Sequence, residues 1–230
     1  MRAMRFICAI VPVVSFVACG GGSGSEDTGT SQAALTGPVT LQASNNDAAA
    51  EYANLPAVAP QVAGLQHIVV TIARIEAKVD VDGAGHAHGD DDAAWVTVAN
   101  GPMTLDLVSL EGGGLATLGI TKMPAGDVDS LRLVMADASQ DYVVTAAGAT
   151  LPLVVPSGDE AGIRVTGDFD APACATGQVT LEFAGRHSIQ IHPDGDHDAY
   201  VLRPVIRVRE ATISGACPIA ASAGSVPHSS

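Results

Sequence analysis

Histidine and aspartate crowd into two short stretches of the chain, His86-Ala87-His88-Gly89-Asp90-Asp91-Asp92 and His192-Pro193-Asp194-Gly195-Asp196-His197-Asp198. Imidazole nitrogens and carboxylate oxygens are the common side-chain ligands of divalent cations. In an extended segment, residues two apart point the same way. His86 and His88 can therefore offer two imidazoles to one ion, and Asp90 and Asp92 continue that spacing. The second stretch offers His192 and His197 together with Asp194 and Asp196 across a connection between two strands. Zinc or copper suits the imidazoles, and calcium suits the carboxylates. An EF-hand is excluded, because Ala199 stands where that loop needs glycine and Val205 where it needs glutamate. The competing reading is a pair of solvated hairpin tips, where acids and small residues are tolerated because nothing packs on them. Flexible loops must also be ordered before they gain affinity.

Other reactive residue types carry less. Ser157 lies between Pro156 and Gly158 with no Gly-x-Ser-x-Gly elbow, so a turn role is the simpler reading. No set of nucleophile, base and orienting group is legible, and the expectation is a noncatalytic protein rather than an enzyme. Arg132, Arg164 and Arg207 sit within apolar strand patterns, as outward-facing residues or as paired buried charges. His67 and His187 open strands and read as structural. Trp95, the one tryptophan, reads as core packing rather than a sugar-stacking platform, and aromatic residues at 3% are too few to line a carbohydrate cleft.

The N-terminus carries Arg2 and Arg5, then an apolar run from Phe6 to Val17 interrupted only by Pro12 and Ser15. This is the pattern of an export signal, and it is shorter than the ~20 residues a spanning helix needs. Phe16-Val17-Ala18-Cys19 resembles the bacterial lipobox, with phenylalanine where leucine is usual. The resemblance implies a signal peptide at residues 1–18 and a mature chain held in the membrane by lipid on Cys19. No aspartate follows Cys19, which in the enterobacterial sorting scheme directs such a protein to the outer membrane. Residues 19–37 form an expected disordered tether of Gly, Ser, Thr and acid.

Acids outnumber bases, 25 to 11, for a net charge of −14. Losing Arg2 and Arg5 with the signal takes −14 to −16. That field repels phosphate backbones, so nucleic acid is a poor partner, and an unidentified protein or glycan is the expected one. With Cys8 removed and Cys19 acylated, Cys174 and Cys217 remain. In an oxidising compartment a disulfide between them is expected, with a reduced redox or metal pair as the alternative. Such a bond would restrict the unfolded chain by about 4 kcal/mol in the loop-entropy model.

Short runs of alternating apolar and β-branched residues mark strands at Val39 to Ala43, Ile68 to Val81, Trp95 to Val98, Thr104 to Ser109, Ser130 to Met135 and Tyr142 to Thr145. More follow at Thr150 to Val154, Gly162 to Gly167, Gln178 to Phe183, Ser188 to Ile191 and Tyr200 to Ile213. Turn signals, among them Asn100-Gly101-Pro102 and Pro124-Ala125-Gly126, separate them. Only Asn46 to Tyr52 reads as helix. The pattern predicts an all-β protein, an antiparallel β-sandwich of Ig-like or prealbumin-like type. It would form a single domain over residues 38–214, with a C-terminal tail at 215–230 tied back through Cys217.

Several segments, in this order, resemble an uncharacterised lipoprotein family, domain of unknown function 4382. They are Trp95-Val-Thr-Val, Thr104-Leu-Asp-Leu-Val-Ser-Leu, Leu118, Met123-Pro-Ala-Gly, Ser130-Leu-Arg-Leu-Val, Leu153-Val-Val-Pro-Ser-Gly, Gly162-Ile-Arg-Val and Tyr200-Val-Leu-Arg-Pro-Val-Ile-Arg-Val. Leu181-Glu-Phe-Ala with His187-Ser-Ile belongs to the same likeness, although Leu181-Glu182-Phe183-Ala184 departs from it where that family tends to an Asp-Phe-Asp run, as does Arg203 where lysine is common. The resemblance implies an envelope-anchored β domain from about Val39 to Val208 and supplies no catalytic residues.

Overall fold

A computed structural model describes residues 34–46, 54–80, 95–156, 162–194 and 197–217, with the backbone alone at 193–194 and 197–198. Cys19, His86, His88, Asp90, Asp92 and Asp196 lie outside the described residues, as do Ser157 and all but the first residue of the expected helix at Asn46 to Tyr52.

The elements are β1 (Val39–Asn45), α1 (Pro60–Ala63), β2 (His67–Asp80), β3 (Trp95–Asp106), β4 (Leu115–Thr121), β5 (Gly126–Met135), β6 (Tyr142–Val144), β7 (Thr150–Val154), β8 (Ile163–Ala171), β9 (Thr176–Phe183), β10 (Ile189–Asp194), β11 (His197–Leu202) and β12 (Ile206–Ser214). They form two sheets. One is ordered β12-β9-β1-β4; the other is ordered β10-β11-β7-β6-β2-β5-β8, with β3 on the remaining edge of β2. The all-β sandwich expected from the alternation is the observed fold. One core joins the inward faces, with Val39, Leu41, Val179 and Leu181 from the first sheet and Ile72, Ile75, Leu131 and Leu133 from the second. Each fully buried aliphatic side chain contributes about 1.5–3 kcal/mol, so this shared apolar layer is the main source of cohesion.

The longest strand organises the second sheet. β2 pairs with β3 along one edge from Val69 to Lys78. Its other edge is divided between β6 at His67–Val69 and β5 at Ile72–Asp80. Two pairings, β1 with β9 and β11 with β7, are parallel rather than antiparallel. Parallel neighbours need a crossover, and β1 and β9 are far enough apart in sequence to supply one.

Four local expectations are corrected. Asn100-Gly101-Pro102 is not a turn: β3 runs through it as one strand, opposite a register shift in β2 between Ile72 and Arg74. Proline is tolerated at such an irregularity, and a side chain at Gly101 would collide with the carbonyl oxygen of Ile72. The run from Tyr200 to Ile213 is two strands in different sheets, because Pro204, which has no N–H to donate, interrupts the ladder between β11 and β12. β4 escaped the alternation rule, since it is an edge strand that exposes Leu115 and Ile120 and carries Gly119 in its middle. The short helix α1 escaped it too; Pro60 begins it, as suits a first helical position.

Cys174 and Cys217 are joined by a disulfide with Cα atoms 4.8 Å apart. The bond ties the turn before β9 to the chain just beyond β12. No helix among the described residues is long and apolar enough to cross a membrane.

Candidate functional site

Strand alternation places Arg74, Glu76 and Lys78 on the outer face of β2, while Ile75 and Ala77 point into the core. Glu76 is nonetheless buried, at 7% exposure, because arginines close over it. Arg74 Nε donates to its Oε1 at 2.8 Å, and Arg132 Nε donates to its Oε2 at 2.6 Å. Register explains the second contact, since Arg132 of β5 stands directly opposite Glu76. Burial by itself would raise the Glu76 carboxyl, but the hydrogen bonds and charges of Arg74 and Arg132 outweigh it and hold the group below its usual range. The Arg132 guanidinium lies 4.3 Å from the centroid of the Trp95 ring. Trp95 is therefore not core packing: it is half-buried at the start of β3 and serves as the platform beneath an arginine.

The first sheet repeats the device. Glu182 of β9 is 1% exposed and stands opposite Arg207 of β12. Arg207 Nη2 donates to Glu182 Oε1 at 2.5 Å, while Arg209 Nε lies 3.5 Å from Oε2. Arg132 and Arg207 are thus partners of buried carboxylates, and Arg164 is exposed.

The two histidines read as structural do hold the fold. His67 Nδ1 lies 2.7 Å from Asp106 Oδ2, and Asp106 Oδ1 accepts the Ile68 and Val108 amides, which fastens the end of β3 to the start of β2. His187 Nδ1 lies 3.2 Å from the Pro56 carbonyl oxygen; it sits in a 3-10 turn, Gly185–Ser188, rather than opening a strand. Beside it, Arg186 Nη1 donates to the carbonyls of Val62, Ala63 and Leu65, and its Nε donates to Glu111, so one guanidinium closes the end of α1.

Of the candidate metal ligands, His192 is exposed on β10 opposite Ala199, and the backbone pairing sets Asp194 opposite His197. The other stretch leaves and re-enters the sheet at Asp80 and Trp95. β11 lies beside β7 with Tyr200 next to Leu153, β7 pairs with β6, and β6 pairs with β2 at His67–Val69. The turn after Asp194 is therefore level with the His67 end of β2, whereas Asp80 ends that strand. At ~3.3 Å per residue these ends are roughly 40 Å apart, while the chain from Asp80 to His86 spans at most about 20 Å. The described residues that flank the two stretches therefore lie toward opposite ends of β2. No group of three His, Cys, Asp or Glu side chains suited to a metal occurs among the described residues.

Reasoning from sequence missed Asp141. It is 2% exposed, with Oδ1 accepting the Thr71 amide at 2.7 Å and Oδ2 without a partner. Burial pushes its carboxyl up to about 6, against the lowering pull of that amide. It also missed Glu76, although the alternation of Arg74, Glu76 and Lys78 with Ile75, Ala77 and Val79 was a usable signal.

The model of one protein family, the domain of unknown function DUF4382, matches residues 39–204. No curated protein and no solved structure matches the chain.

The Asp141 geometry has a consequence for stability. A carboxyl whose folded pKa is raised favours folding while protonated and opposes it once ionised, so stability from this group falls as pH rises from about 4 through about 6. The full penalty is of order 3 kcal/mol. Asp141→Asn keeps an acceptor for the Thr71 amide and cannot ionise. It is expected to raise the thermal midpoint at pH 7 and to leave it nearly unchanged at pH 4; equal shifts at both pH values would contradict this account.

Proposed function

The chain belongs to the DUF4382 family, and from that premise we propose that it is a lipid-anchored lipoprotein of the bacterial envelope whose β sandwich is a noncatalytic binding module. The observation that carries the reading is the Cys174–Cys217 bond. A structural disulfide persists in an oxidising compartment, which is where Arg2, Arg5, the apolar run and the Cys19 motif would deliver the chain. The same motif supports an outer-membrane destination. A sandwich that buries its inward side chains in one core leaves its outer faces and hairpins for recognition, and the partner proposed is a protein or glycan. Cell-based labelling tests the anchor. The wild-type chain is expected to incorporate labelled palmitate and partition with membranes, and Cys19→Ala to lose both. Equal labelling of the two would sink the lipoprotein reading.

A second reading, binding of zinc, copper or calcium, is favoured by the β10–β11 hairpin, whose register draws the backbones of Asp194 and His197 together beside His192. Under it, His192, Asp194, Asp196 and His197 form one ligand set, and His86, His88, Asp90 and Asp92 form another that works independently. Calorimetric titration of the purified chain with each metal checks it. Micromolar, stoichiometric binding that loses one site in His192→Ala/His197→Ala and the other in His86→Ala/His88→Ala is the expected result. Millimolar binding indifferent to all four substitutions would count against it.

A further inference from the structure

On the outer face of the second sheet Arg74, Arg132 and Arg164 occupy neighbouring positions on three adjacent strands, while Asp80, Asp127 and Asp170 line up across the same strands nearer their other end. Arg132 of β5 and Arg164 of β8 stand directly opposite each other, in the register Arg132↔Arg164. Directly opposed residues have Cβ atoms ~4.5–5.5 Å apart, and like charges in that position are destabilising. Glu76 answers Arg132, whereas Arg164 is exposed and has no hydrogen bond or ion pair among the described residues. Glu76 is shared between Arg74 and Arg132. Among the described residues, that one carboxylate is the only anion bonded to Arg74 or Arg132.

Arg132, moreover, is held in place before any ligand arrives. Glu76 grips its Nε, Trp95 lies under its guanidinium, and Gly162 borders its stem. A Cβ at Gly162 would come within 2.7 Å of Arg132 Cγ, and Gly162 has a φ of +70°, so the position is closed to a side chain twice over. An arginine fixed by packing loses little entropy when it binds, and two adjacent guanidinium forks match the oxygens of one phosphate group.

We propose that Arg132 and Arg164, with Arg74 beside them, form a binding site for a phosphomonoester dianion. Two neighbouring guanidiniums suit a group carrying about −1.5 to −2 near pH 7. The strongly negative remainder of the protein disfavours a long polyanion, so a single compact phosphate is the fitting ligand. The like-charge opposition of Arg132 and Arg164 is the stability given up for it.

The test is calorimetric titration of the full chain in neutral detergent with inorganic phosphate, glucose 6-phosphate and acetate, beside vesicles containing phosphatidic acid. Saturable binding of inorganic phosphate is expected, stronger at pH 7.5 than at pH 5, where the monoanion dominates. Acetate should bind far more weakly. Glucose 6-phosphate binding without vesicle binding would place the site with soluble ligands, and vesicle binding alone would place it with lipid headgroups; either supports the proposal. Arg164→Gln should weaken phosphate at least tenfold while its own thermal midpoint, without ligand, stays level or rises. No saturable binding below about 10 mM, or equal binding by Arg164→Gln, would overturn it.

Discussion

The carboxylate of Glu76, buried in the longest strand and gripped by arginines of two strands, is the constraint on which the second sheet's outer face depends. Burying it alone would be costly, and the two guanidiniums make the burial tolerable. In doing so they acquire fixed positions. Arg132 is drawn over Trp95 and against Gly162, and Arg74 is folded back along its own strand. The strand beneath them is hydrogen-bonded on both edges, so the charged layer rests on one of the best-supported backbones in the fold.

The first sheet uses the same device at Glu182, with Arg207 and Arg209 as the cover. In both sheets a glutamate on the outward side of a strand is opposed in register by an arginine from its neighbour. Each sandwich face is therefore polar yet ordered, which is what a recognition surface needs: side chains whose rotamers are chosen by the fold rather than by the ligand. The two devices differ in what surrounds them. Beyond Arg132 stands Arg164, which has no ion-pair partner among the described residues.

Much of this was legible in the residue pattern, for reasons that also explain what was not. Period-two alternation and Gly/Pro turns revealed the sandwich, because burying one face of each strand leaves a signal within a few residues. The pairing of β1 with β9 joins segments more than a hundred residues apart and leaves no such local trace. β4 failed to register because an edge strand can expose Leu115 and Ile120. Gly101-Pro102 looked like a turn because the same dipeptide that makes a turn also suits a strand irregularity. Pro204 was a readable signal for the break between β11 and β12. Arg132, Arg164 and Arg207 stood out as charges in apolar patterns, but whether each was paired or outward was decided by register, which only the assembled sheets supply.

The Glu76 carboxylate holds the outer face of the second sheet together, and urea unfolding of Glu76→Gln tests this. Removing the charge while keeping the shape leaves Arg74 and Arg132 facing each other without an anion, and a loss of about 1.5 kcal/mol is predicted, less than for a fully buried pair because both guanidiniums keep solvent. A loss below about 0.5 kcal/mol, the scale of an exposed surface ion pair, would contradict the account.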